Sequence, residues 1–150
     1  MSIGTGDGLM PSQALDGAER NAWWFELPYA SLPPGLSMND RGKHWAKTRS
    51  TAMVRKDVVA LVAQSGVPAM GRIRVDVTWF VKTKHRRDTD NAAPLLKAIY
   101  DAIGSDRGVS AHIVADDAPE FMEKPGATIH YDKECTPHFV VTITRLDGAA

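Results

Sequence analysis

Two acidic clusters in this 150-residue chain, Asp88-Thr89-Asp90-Asn91 and Asp116-Asp117, have the residue types and spacing to do chemistry. In an extended segment, residues i and i+2 point the same way, so Asp88 and Asp90 could face one cation. Hard cations such as Mg²⁺ take oxygen ligands and keep several waters. The same residues also suit a structural role: Asp90 or Asn91 can cap a following helix, and Asp88 can meet its dipole. Asp116-Asp117-Ala118-Pro119 is equally good turn chemistry. A strand end, the helix after it and a return loop can bring Asp88, Asp90 and Asp117 to one point. Three carboxylates there repel each other unless a metal neutralises them.

Lys97 follows Asp90 by seven residues, close to two helical turns, and so shares a polar stripe with Asp101. It is either a surface partner of Asp101, worth little, or a cation that stabilises charge on a phosphate. Directly upstream of the acids stand Lys82, Lys84, His85, Arg86 and Arg87. Such a run is either a solvated face or phosphate-neutralising charge set beside the cation that activates water. His85 reads as a phosphate contact or a bystander, and His44, His112, His130 and His138 show no ligand spacing. Trp45, between Lys43 and Lys47, has the chemistry to stack on a base; packing into the core at a helix start is the role expected for it.

The formal net charge is zero, but it is a cancellation. Residues 1–40 carry a net −4, residues 41–87 a net +10, and residues 88–150 a net −6. The basic middle, which includes Arg41, Lys43 and Lys47, suits a phosphate-binding surface that ends at a carboxylate site.

The elements that must position these residues follow from periodicity. Residues 1–21 are rich in Gly, Ser, Asp and Ala and read as a mobile arm, followed by one domain over 22–147. Trp23 to Leu32 reads as a first strand, closed by Pro33-Pro34-Gly35. A helix runs from about His44 to Ala63, with Val54, Val58, Leu61 and Val62 as its apolar stripe. Ile73 to Val81 alternates as a strand, and if the chain stays extended its polar parity continues through Lys82, Lys84, Arg86, Asp88 and Asp90. A second helix is expected from about Asn91 to Ile103, burying Leu95, Ile99, Ala102 and Ile103, with Pro94 harmless in its first turn. Two strands close the chain, near Thr128–Tyr131 and Phe139–Arg145. The implied fold class is α/β (α+β): a small domain whose mixed sheet of about four strands is flanked by helices.

Apolar residues at 43% and charged residues at 24% describe an ordinary globular composition. No apolar run approaches the ~20 residues of a membrane span. The N-terminus has no basic segment leading into an apolar one. The single cysteine, Cys135, cannot pair within the chain. A cytoplasmic, reducing setting is expected on these grounds.

Arg86-Arg87-Asp88-Thr89-Asp90-Asn91, then Leu96-Lys97-Ala98-Ile99-Tyr100-Asp101-Ala102-Ile103, then Val114-Ala115-Asp116-Asp117, resemble RusA-type Holliday junction resolvases. Leu27-Pro28, and Leu36-Ser37-Met38-Asn39-Asp40-Arg41 leading to His44-Trp45, are similar to the phage and actinobacterial branch of that family. The resemblance covers roughly residues 24–146. It implies a homodimeric, Mg²⁺-dependent endonuclease, with Mn²⁺ as a substitute, that nicks four-way DNA junctions symmetrically. By motif, Asp88, Asp90 and Asp117 become the acidic metal site and Lys97 the essential lysine, with Asn91, Asp116 and Asp101 in support. The commoner family spacing sets the lysine four residues after the second Asp of the pair; here it is seven, with Ala92-Ala93-Pro94 inserted. Both spacings return to the same helix face, displaced by about 4–5 Å along the axis. A flap or fork nuclease, or a branched-DNA-binding module in which the carboxylates only cap a helix, are the alternatives the residues leave open.

Overall fold

The computed structural model describes residues 20–40, 42, 44–85 and 87–148. The expected arm at 1–21 therefore lies almost wholly outside the described residues, as do Arg41, Lys43 and Arg86. In chain order the elements are β1 (Ala22–Glu26), α1 (His44–Gln64), β2 (Ile73–Val81), a 3-10 turn (Thr89–Ala92), α2 (Ala93–Gly104), β3 (Met122–Glu123), β4 (Ala127–Tyr131) and β5 (His138–Arg145).

The fold is α+β, a mixed five-stranded sheet with two helices. β2 lies at its centre because it is the longest apolar alternation in the chain, with Ile73, Val75, Val77, Trp79 and Val81 all buried. One edge of β2 pairs antiparallel with β5, which in turn pairs antiparallel with β1. The other edge is shared by β3 and β4, both parallel to β2. That register aligns Val75 with Ile143, Val77 with Val141 and Trp79 with Phe139, so one face of the sheet is continuously apolar. Trp79 and Phe139 stack on it at 5.2 Å between ring centroids. On the opposite face Arg72 and Arg74 are paired with Glu123, and Arg74 also with Asp76, so two of the middle segment's bases are neutralised there.

Both helices carry the stripes their spacing called for. α1 buries Ser50, Val54, Val58 and Val62, with Leu61 partly covered. α2 buries Leu95, Ile99, Ala102 and Ile103, and in addition Leu96, Ala98, Tyr100 and Gly104. The first strand is shorter than expected, ending at Glu26, because the following residues turn to dock a loop on α1. Tyr29 in that loop donates to Asp57 Oδ2 at 2.5 Å. β3 was not anticipated: two residues carry no readable periodicity, and only pairing with β2 makes them a strand.

Gly35 sets how closely the loop meets α1. Its φ is +84°, and a Cβ there would lie 2.4 Å from Lys47 N and 2.6 Å from Lys47 Cα, both backbone atoms that cannot swing aside. Gly35→Ala is therefore expected to cost at least about 2 kcal/mol, combining left-handed strain with a backbone clash. Urea unfolding of the variant checks this, and an unchanged midpoint would refute the close approach.

Candidate active site

The strand parity expected through Asp88 and Asp90 does not continue. β2 ends at Val81, the chain bends at residues 82–83, and Asp88 is extended, at φ −107° and ψ 120°. Its carboxylate accepts the Asp90 N–H at 2.9 Å and caps the 3-10 turn, while the Asn91 N–H donates to the Asp88 carbonyl at 3.0 Å. A short acid that satisfies a free N–H two residues on competes with the extended form and wins here. Asp90 therefore sits inside the turn rather than beside Asp88 on a strand face. Asn91 has a further role in positioning, since its carbonyl accepts the Met38 N–H and ties the 37–40 loop to the turn.

The turn runs directly into the helix, so that of Ala92-Ala93-Pro94 only Ala92 lies in the turn. α2 begins at Ala93, with Pro94 in the first turn where no amide partner is lost. Lys97 then lies on the exposed strip of the helix, its side chain 74% exposed, and pairs with Asp101 at 3.3 Å. Arg55 reaches the same carboxylate from α1, 3.9 Å from Asp101 Oδ2.

The loop after α2 delivers the second acidic cluster. The N–H groups of Ala111 and Ile113 donate to the carbonyls of Ala102 and Ile103, so the loop folds back along the last turn of the helix. Ile113 and Val114 are buried. Gly104 permits this approach, because a Cβ there would lie 2.5 Å from a Val114 methyl. The N–H groups of Phe121 and Met122 both donate to the Ala118 carbonyl at 2.9 Å, closing the turn after Asp117.

Asp117 so placed comes within hydrogen-bonding reach of Asp101. Its side chain is only 25% exposed and lies 3.8 Å from Lys124 Nζ, which also donates to the Asp117 carbonyl at 2.6 Å. Burial pushes the Asp117 carboxyl above its ordinary value; Lys124 draws it down, and Asp101 and Asp116 push it up. A groove of about 350 Å³ opens between the helix strip and this loop, lined by Ala93, Lys97, Tyr100, Asp117, Lys124 and Gly126. The buried Tyr100 hydroxyl lies in its wall, close to the Gly126 backbone.

The structure thus brings Asp117, Asp101 and Lys97 together, while Asp88 and Asp90 belong to the capped 3-10 turn that precedes α2. Among the described residues no three His, Cys, Asp or Glu side chains converge tightly enough to hold one metal. Asp101 was legible as a partner of Lys97 at i+4 and, by motif, as a supporting residue; Lys124 carried no sequence signal, because the β3–β4 connection alone places it. Two carboxylates at such short range fit Mg²⁺ chemistry, in which one or two acids and the substrate's phosphate oxygens share the ion.

The basic run upstream is exposed at Lys82, Lys84 and His85. Lys84 Nζ lies over the Tyr131 ring at 4.8 Å. Arg87 turns back onto its own loop, donating to the carbonyls of Thr83 and His85. Lys47 stands on α1 beside Lys97, with which it lines a second groove. No family model and no curated protein matches the chain. No helix among the described residues is long and apolar enough to cross a membrane.

The raised Asp117 carboxyl has a sign that can be tested. The folded protein binds that proton more tightly than the unfolded chain, so its contribution is full below the ordinary value of 3.8 and is lost as pH rises through the raised one. Asp117→Asn should therefore raise Tm modestly at pH 7 and leave it unchanged below 3.8. Thermal melts at the two pH values decide; a lower Tm at pH 7 would mean that the lost Lys124 pair outweighs the relieved repulsion.

Proposed function

We propose that this protein is a metal-dependent endonuclease of the RusA type, which nicks four-way DNA junctions by phosphodiester hydrolysis. The observation that carries the reading is the delivery of Asp117 to the polar strip of α2. There it faces Asp101, with Lys97 and Lys124 lining one groove beside it. Arg55, Lys97 and Lys124 stand beside these carboxylates and offset acid charge that would otherwise repel a phosphate. The ordered motif resemblance adds the substrate and the ligand set.

In this reading Asp88, Asp90 and Asp117 are the metal ligands that the motifs assign, and Asp101 is a further oxygen donor beside Asp117. A bound Mg²⁺ would lower the pKa of a coordinated water and neutralise charge on the phosphate. Lys97, unobstructed on its strip, offsets charge that develops on the phosphate oxygens. The exposed bases at 82–85, with Lys47, hold the DNA backbone. A homodimer matches the two-fold symmetry of a four-way junction and gives two related cuts.

A DNA-binding module without catalysis is the second reading, and one observation favours it: Asp88 is engaged as a cap. Cleavage of a synthetic four-way junction, with and without Mg²⁺, separates the two. Asp88→Asn, Asp90→Asn and Asp117→Asn are each expected to abolish cutting while junction binding is retained, because each removes an oxygen ligand and a charge that repels phosphate. Full cutting by any of them would remove that residue from the site. Metal-independent binding with no cutting by the parent protein would favour the module.

Lys97→Ala is expected to change stability by only about 0.5 kcal/mol, given its exposure. Its single-turnover rate should fall about 10²–10³-fold at saturating protein, with binding nearly unchanged. Weaker binding with a smaller salt slope would make it a backbone contact instead.

A further inference from the structure

Trp45 contradicts its expected role in the core. It is 73% exposed at the start of α1, where the neighbouring His44 ring meets it edge-on at 5.2 Å between centroids. The same helix face runs from Trp45 to Thr48 and Arg49, three and four residues on. Beside it lies a groove of about 520 Å³, lined by His44, Lys47, Thr48, Thr51, Arg55 and Val109. Arg55 builds its far wall, donating to the carbonyls of Val109 at 2.8 Å and Arg107 at 2.6 Å and so pinning the loop after α2. Lys47 and Thr51 line both this groove and the adjoining one, which holds Lys97 and Asp101. The indole adjoins the first groove through its neighbours His44 and Thr48, and that groove leads on to the one holding Lys97 and Asp101.

The charge along that track is one-sided. α1 carries Lys47, Arg49, Arg55 and Lys56 against Asp57 alone, and Asp57 is engaged by Tyr29. Among the described residues Lys47 and Arg49 have no ion-pair partner. Cations without ion-pair partners beside an exposed aromatic ring, with the Thr48 hydroxyl bonded to the His44 carbonyl next to them, suit a strand whose phosphates lie in the groove and whose base has left its pair. Every base offers a π-face, and an aromatic platform with a cationic path is how unpaired strands are held.

We infer that Trp45 is a stacking platform for an unpaired nucleobase, with Lys47, Arg49, Thr48 and Thr51 holding the adjoining phosphates. The assignment rests on the nuclease reading and adds to it a means of preferring branched or single-stranded DNA over continuous duplex. Bases at a branch point are the ones free to leave the helix, whereas a duplex keeps its bases stacked inside.

The experiment uses the full chain, fluorescein-labelled oligo(dT), a synthetic four-way junction and a linear duplex of the same length. Trp45→Ala should weaken oligo(dT) and junction binding roughly tenfold and leave duplex binding unchanged, with Trp45→Phe restoring most of the loss. Tryptophan emission of the parent should be quenched by oligo(dT), and Trp45→Phe should remove most of that quenching, since Trp23 and Trp79 are buried and Trp24 is partly buried in β1. Equal weakening on all three DNAs, or none, overturns the platform while leaving the nuclease reading intact. A dimer that dissociates on Trp45→Ala, seen by light scattering, also overturns it, because a second copy would then cover the indole. Failure of the parent protein to bind any of the DNAs removes the nuclease reading itself.

Discussion

Helix α2 is buried over most of its circumference, and the candidate site depends on that constraint. Eight of its twelve residues are inside, most of them in one core with residues of the sheet and α1. A helix held on so many sides cannot roll, so the strip left outside is fixed in direction. Lys97 and Asp101 are on that strip because they are the residues the core does not claim. The same packing fixes the helix C-terminus, where Gly104 lets Val114 approach and the loop to Asp117 fold back. A larger residue at 104 would displace the loop before it altered any charge.

Electrostatics then act on a frame already set by packing. The strongly basic segment 41–87 does not form one uniform face. Arg72 and Arg74 are neutralised on the far side of the sheet, and Arg87 is turned onto its own loop. Lys47, Arg49, Lys82 and Lys84 remain exposed. Arg55 links the two sides of the site, since one guanidinium both fixes the loop after α2 and approaches Asp101. The rigidity of the groove walls and the charge beside the carboxylates thus share one residue. Coulomb attraction alone is worth little at an exposed surface; an arginine already held by two backbone carbonyls loses less entropy in making an ion pair.

Periodicity made most of the fold legible. The alternation of Ile73 to Val81 defined the central strand, and the stripes Val54-Val58-Val62 and Leu95-Ile99-Ala102-Ile103 defined the buried faces of both helices. These signals are local: each depends on residues within two or three turns or pleats. Both C-terminal strands were legible for the same reason. The two-residue β3 was not, because a strand that short exists only through its neighbour.

The sequence by itself determined which residues are acids and bases, which faces are apolar, and that Lys97 and Asp101 share a helix face. Tertiary structure decided which acids meet. Asp88 caps a turn, an outcome open from the start, and the cap breaks the extended parity that would have aligned it with Asp90. Asp117 meets Asp101 because the return loop follows the helix backbone to its end, a path set by hydrogen bonds to Ala102 and Ile103 and by the absent side chain of Gly104. Trp45 lies outside the core for a similar reason: α1 turns its Ser50-Val54-Val58-Val62 stripe inward, and the packing of the whole helix, rather than the hydrophobicity of one residue, selects that stripe. Contacts between residues distant in sequence depend on how whole elements are placed, and no local pattern encodes that placement.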